Sequence, residues 1–248
     1  MRRTTPLTQV GTQAESCSLD LRLHILGNLL FFTDISKEEL LKISANFVER
    51  GFSPAQAIYR EGSPAERLFV LADGKIKLLK FSANNREVLL SILKPGDFFG
   101  NFTYISGDAY QESAIALTQA CTLSISNQDF RTIMDRSPVL AIRSMQIMAA
   151  RLNASTQKVL QLGSMSVEQR LAFTLLDLDA KLGLERAGQR VIDVPLTQEE
   201  LAGMTATTPE SVSRWMSQMR KLGVIRSGRR WVSLLKPEYL QDLLNKTA

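Results

Sequence analysis

The sequence predicts an α+β chain in three successive parts: an antiparallel β-rich region, one long helix, and a helical C-terminal third that closes on a basic hairpin. Three observations carry this. From Gly51 to about residue 126, short apolar runs (RLFVLA, KIKLLKF, EVLLSIL, CTLSIS) alternate with turn signals at Gly62, Asp73-Gly74, Asn84-Asn85, Pro95-Gly96 and Gly107-Asp108. Short strands separated by such turns build a compact antiparallel sandwich or roll. After Pro138, neither Gly nor Pro occurs before Gly163, and beyond it the periodicity is helical again, with a capping signal at each start.

Residues 1–20, rich in Thr, Ser and Gln, predict a flexible tail. Ser36 ahead of KEELLKISANFV, with Glu39 three residues on, is a capping-box pattern that starts a short helix. The strand region and its flanking helices occupy residues 21–137, the last of those helices being NQDFRTIMDRSP. The long helix, 138–163, carries Met145, Met148, Leu152, Ser155, Val159 and Leu162 at alternating spacings of three and four. That is the seam of a two-stranded coiled coil with one polar residue inside it, and it predicts a homodimer. An amphipathic helix packed on its own domain is the competing reading.

Gly163 then interrupts, and residues 164–248 read as a further domain. Ser166 and Gln169 form a capping box for helix 167–182, followed by a polar loop (LERAGQR) and a strand (VIDVPL). Thr197 with Glu200 caps a brief helix ending near Gly203, and Met204–Thr207 form a turn. The next helix, 208–222, has Thr208 as cap, Pro209 at its first position and Gly223 to close it in a left-handed turn. VIRSGRRWVSLL ends the series as a hairpin with Ser227-Gly228 at its tip. Helix, tight turn, helix and basic hairpin make a winged helix-turn-helix pattern.

Charge supports this assignment. The whole chain of 248 residues carries a net +5, but from Pro209 to Lys236 alone seven cations face one acid, Glu210. Such local concentration suits a nucleic-acid partner. Two cysteines, Cys17 and Cys121, exclude a disulfide-rich scaffold and a four-cysteine zinc or iron–sulfur site within one chain. The single histidine, His24, and the lack of a glycine-rich nucleotide motif or metal-ligand cluster argue against an enzyme. Neither a signal peptide nor a run of roughly 20 apolar residues is present, so a cytoplasmic protein without a membrane span is expected.

EGSPAERLFVLADGKIKLLK (61–80), KPGDFFGN (94–101) and LTQEELAGMTATTPESVSRWMSQMRKLGVI (196–225) carry a resemblance. From about residue 20 to 240 the chain resembles the CRP/FNR superfamily of bacterial transcription regulators. The resemblance implies a cyclic-nucleotide-binding-like roll of the double-stranded β-helix type, a DNA-binding homodimer, and contacts with RNA polymerase. Loop 183–190 is a candidate surface for the last of these. Glu210, Ser213 and Arg214 match the E-x-x-S-R pattern of the FNR-like side. At i, i+3 and i+4 they share one helix face. Arg donates two hydrogen bonds to a guanine and Glu accepts from a cytosine amino group. Arg214 is therefore expected to read a G, Glu210 a C on the opposite strand, and Ser213 to tune a neighbouring A·T pair. The implied site is TTGA facing TCAA across six base pairs. Pro209 replaces an arginine of the CRP branch, which argues against a TGTGA-type site. Thr197, Gln198, Thr208, Arg229 and Arg230 are placed for phosphates.

The effector pocket implied by the resemblance comprises Gly100, Asn101, Phe102, Glu112, Ser113, Ser155 and Thr156. Asn101 stands where the cyclic-nucleotide branch has a Glu for the ribose, and Glu112 where it has an Arg for the phosphate. A carboxylate there repels an anionic ligand, so cyclic AMP is disfavoured. Ser155 and Thr156 match the polar pair that meets the adenine, or they form a register-setting layer in the coiled coil. An iron–sulfur cluster is disfavoured too, because its N-terminal ligands reduce here to Cys17.

Overall fold

The computed structural model describes residues 19–33, 35–82, 87–102, 107–186, 189–228 and 231–245. They pack as two compact units: one of residues up to Ile76 together with Pro95–Ile133, the other of Lys77–Lys94 together with the chain from Met134 onward. The hairpin 77–94, which the sequence counts within the strand region, thus packs with the C-terminal part. The expected tail lies outside the described residues up to 18, and α1 begins at Leu19 (Leu19–Gly27), with His24 exposed on it.

In the first unit α2 (Lys37–Ser44) starts where Ser36 Oγ accepts from the Glu39 amide at 3.2 Å. β1 (Val48–Phe52), β8 (Ala120–Ser126), β3 (Arg67–Asp73) and β6 (Phe98–Gly100) lie in that order in one antiparallel sheet. The register sets Val48 opposite Ser124, Leu68 opposite Ile125 and Val70 opposite Phe98. β2 (Ala57–Tyr59) pairs with β7 (Ser113–Ala116). Nearly every residue of β3 and β8 is buried; β3 reads as a near-continuous apolar run, whereas in β8 Thr122, Ser124 and Ser126 alternate with Cys121, Leu123 and Ile125. The Cys121 thiol is buried. Phe31, Phe99 and Phe130, the last in α3 (Asn127–Arg136), are the largest side chains closed off from solvent there.

The second unit holds β4 (Ile76–Phe81, from Lys77 on) and β5 (Glu87–Leu93), neighbours in one sheet, and α4 (Pro138–Ser164). Gly163 does not interrupt α4. The break comes at Met165, which is extended because Ser166 must take the non-helical N-cap conformation of α5 (Val167–Leu182), where both arms of the capping box form. Leu171, Leu175, Leu178 and Leu182 recur at three- and four-residue spacing on its buried face. The polar loop expected after it is a hairpin of β9 (Gly183–Arg186) and β10 (Gln189–Ile192). A salt bridge of Arg186 to Asp193 (2.7 Å) and the Arg190–Asp179 pair (2.7 Å) hold strands that lack apolar alternation.

α6 (Gln198–Thr205) and α7 (Pro209–Lys221) follow, then β11 (Ile225–Ser227), β12 (Val232–Leu234) and α8 (Pro237–Asn245). β11, β12, β10 and β9 form one sheet in that order, so the terminal hairpin is anchored through β12 on β10. No helix among the described residues is long and apolar enough to cross a membrane.

Candidate nucleic-acid interface

Local sequence sets both helices of the reading motif. Thr197 Oγ1 accepts from the Glu200 amide at 3.1 Å, and Glu200 Oε2 accepts from the Thr197 amide at 2.8 Å, completing the box that starts α6. The helix does not end near Gly203. It runs to Thr205 and closes at Ala206, whose φ of +48° is left-handed. Arg170 on α5 accounts for that strained alanine: its guanidinium donates to the carbonyls of Thr205 (2.7 Å), Ala206 (3.3 Å) and, at the interhelical break, Met165 (2.9 Å). The turn between the helices is therefore Ala206 to Thr208, shorter than the sequence suggests.

α7 carries the ends its sequence announces. Thr208 Oγ1 accepts from the Ser211 amide at 3.3 Å, Pro209 takes the first helical position, and Gly223 follows the last turn at φ +64°. Val212, Trp215, Met216 and Met219 are buried, which turns the opposite face outward. Glu210, Ser213 and Arg214 are on that outward face, with Ser217, Gln218 and Lys221 continuing it at i+4 intervals. Together with Gln198 and Glu199 of α6 they line one open concave surface. Ser217 and Gln218 escaped the sequence reading, although their i+4 spacing from Ser213 and Arg214 could have found them.

Electrostatics favour an ionised reading face. The Glu210 carboxylate is held below its ordinary 4.5 by its own backbone N–H and then by the Thr208 hydroxyl, both at the positive end of α7. Arg220 donates to Ser227 Oγ at 3.0 Å, tying α7 to the first strand of the terminal hairpin. Thr197, Gln198 and Thr208 are exposed at the starts of the two helices, while Arg229 and Arg230 lie outside the described residues. A helix start exposing hydroxyls and N–H groups is suited to phosphate oxygens.

The positions expected to form an effector pocket divide between the units. In the first, Gly100 has φ +102°, and a Cβ there would come within 3.1 Å of the Arg67 carbonyl oxygen. Asn101 is buried, and its amide donates to the carbonyls of Gly107 (2.8 Å) and Ala109 (2.9 Å). Phe102 packs on Phe98 and Phe130 with ring centroids 5.5 and 5.6 Å apart. Glu112 Oε1 lies 3.4 Å from the Tyr59 hydroxyl, and Ser113 Oγ accepts from the Glu61 amide at 2.9 Å. Tyr59 stacks on Tyr110 with centroids 3.8 Å apart, and Phe69 on Phe99 at 5.3 Å. Burial pushes the Tyr110 phenol up, against the opposing effect of its hydrogen bonding to the Arg67 backbone. Ser155 and Thr156 belong to the second unit and are exposed on α4, where Thr156 Oγ1 donates to the Leu152 carbonyl at 3.0 Å.

Residues 49–137 match the model of the cyclic nucleotide-binding domain, and residues 169–243 that of the Crp-like helix-turn-helix domain. Among curated relatives, a "CRP-like cAMP-activated global transcriptional regulator" of Mycobacterium tuberculosis (strain ATCC 25618 / H37Rv) is 25% identical over 202 residues, covering 82% of this chain and 90% of that protein. An "Anaerobic regulatory protein" of Bacillus subtilis (strain 168) is 29% identical over 188 residues, covering 74% and 78%. In fold, the chain is similar to FixK2 from Bradyrhizobium japonicum, with a TM-score of 0.72 at 24% identity, covering 82% of this chain and 99% of that one. The two matched domains and the curated relatives lead to one conclusion: this chain belongs to the CRP/FNR superfamily of DNA-binding transcription regulators.

Proposed function

We propose that the chain works in the cytoplasm as a homodimer that reads a TTGA-N6-TCAA-like palindrome by inserting α7 into successive major grooves. The observation that carries this is the outward face of α7, where Glu210, Ser213 and Arg214 share the open surface. Arg214 reads G, Glu210 reads C and Ser213 tunes the adjacent A·T pair. Thr197, Gln198, Thr208, Arg229 and Arg230 hold phosphates and set salt sensitivity.

The dimer reading is supported by α4. Met145 (70%), Leu152 (68%) and Val159 (70%) recur every seven residues and stand exposed in the single chain. Leu162 and Ser155 are exposed and Met148 half-buried on the same helix. A second copy of α4 covers that stripe, with Ser155 as its polar layer. Effector control does not use cyclic AMP: Glu112 puts a carboxylate where the phosphate would need a cation, and Asn101 is engaged with two backbone carbonyls. Another ligand, or none, sets activity. The hairpin at 183–190, whose residues 187–188 lie outside the described ones, is the surface offered to RNA polymerase.

Selection from random duplexes tests the central claim. An enriched inverted repeat of TGA and TCA halves is expected, and enrichment without any such repeat rejects it. If random DNA competes as well as the selected site, the protein is a non-specific architectural binder instead. Saturable calorimetric binding of cyclic AMP at micromolar concentration would restore the cyclic-nucleotide reading.

A further inference from the structure

The hairpin of β4 and β5 falls within the matched cyclic nucleotide-binding domain, yet it packs on the first helix of the reading motif. At the centre of that contact is Lys77. Its Nζ lies 2.7 Å from Glu200 Oε1 on α6 and 2.5 Å from Glu87 Oε1 on β5. The Lys77 and Glu200 side chains are only 15% and 10% exposed, so this pair is more enclosed than an ordinary surface bridge. Burial would lower the Lys77 ammonium, but the hydrogen bonds and charges of Glu200 and Glu87 outweigh it and hold the group raised above its ordinary 10.5.

Two further details make the contact directional. Glu200 uses its other oxygen, Oε2, to cap α6 through the Thr197 amide, so one carboxylate joins the helix start to the hairpin. Gly203, almost one turn along, brings backbone to backbone: a Cβ there would lie 3.5 Å from the Glu87 carbonyl oxygen and the Leu89 nitrogen. Gln198 and Glu199 are left free to line the concave reading surface. The hairpin therefore grips α6 without covering the face that meets DNA.

We infer that Lys77 is a positioning residue for the DNA-reading head, a latch that joins the β4–β5 hairpin and α6 into one rigid piece. The inference rests on the proposed DNA-reading role of α7. Releasing the latch frees α6 and weakens binding to the palindrome. Removing the ammonium does more than delete a bond, because it leaves the Glu87 and Glu200 carboxylates facing each other across the contact. Lys77→Met is thus expected to exceed Glu200→Gln, which keeps an oxygen for the cap.

The test uses the full-length protein in two measurements. In hydrogen exchange without DNA, Lys77→Met speeds exchange of both 87–93 and 198–205 by about tenfold, which is the size a one-decade loss of local protection gives. Lys77→Arg, which retains the charge, restores protection. In binding to the selected palindrome, Lys77→Met weakens affinity by about fivefold or more, the lower end of ordinary inter-site coupling. The Lys77→Met/Glu200→Gln double variant loses no more than Lys77→Met alone. Unchanged exchange of 198–205 in Lys77→Met, or wild-type palindrome affinity in it, overturns the latch. If the wild-type protein selects no palindrome, the function proposed for α7 fails, and exchange alone still decides whether the latch exists.

Discussion

The reading helix and the aromatic interior of the roll treat their polar residues in opposite ways. On α7, caps use Thr208 and the helix ends, and the buried residues are all apolar or the indole of Trp215. Glu210, Ser213 and Arg214 stay on the outward face and line the open concave surface. In the roll, buried polar groups and rings serve the protein's own structure. Asn101 braces two carbonyls, Ser113 accepts a backbone amide, and Tyr59 and Tyr110 stack on each other. The difference lies in where polar groups spend their hydrogen bonds: outward on α7, on the protein's own backbone in the roll.

The largest effect should come from attacking the roll itself. Phe99 is buried and packed against Phe69 and Tyr59, so Phe99→Ala should cost about 3–5 kcal/mol of roll stability by urea unfolding. A cost below about 1 kcal/mol would mean the interior is loose enough to admit a ligand. Asn101→Ala comes next. It strips donors from the carbonyls of Gly107 and Ala109 and should destabilise the roll by about 1–3 kcal/mol without changing selectivity for DNA. Altered site preference in that variant would break the division between the two regions.

Arg214→Ala should leave the melting temperature unchanged, since Arg214 is exposed, and remove about 1–3 kcal/mol of discrimination at the guanine in competition binding. Equal loss of stability and discrimination would place it among structural residues instead. The smallest expected effect is at the helix start. Thr208→Ala should cost about 1 kcal/mol and raise the Glu210 titration toward its ordinary 4.5 by carboxyl NMR. Because the folded value is depressed, Glu210 stabilises fully above the unfolded value, and that contribution is lost as pH falls through the depressed folded value. A Glu210 titration unmoved by Thr208→Ala would assign the depression to its own backbone N–H alone.

Much of the reading motif was legible because its signals are local. Ser166, Thr197 and Thr208 each cap within three residues, and Pro209 and Gly223 mark ends by backbone chemistry that needs no partner elsewhere. The end of α6 was not legible, since Ala206 is left-handed without being glycine and depends on Arg170, more than thirty residues earlier in the chain. The β9–β10 hairpin is hidden for a related reason: only half of its strand residues are apolar, without a clean alternation, and β10 finds its second neighbour in β12, some forty residues later in the chain. Gly163 reads as a break in the sequence, yet it lies inside α4, and the helix ends only ahead of the Ser166 cap.

Sequence alone sets the helices of the reading motif, their N-caps and the charge on the outward face of α7, all of which depend on residues a few places apart. Only the tertiary structure decided where those side chains spend their hydrogen bonds. Arg170 on the interhelical turn, thirty-five positions away, and Lys77 joined to Glu200 across 123 positions are long-range pairings, and even Asn101 finds its carbonyls six and eight residues on, across a turn of the chain. No periodicity announces such partners, because their geometry exists only once the backbone has folded around them.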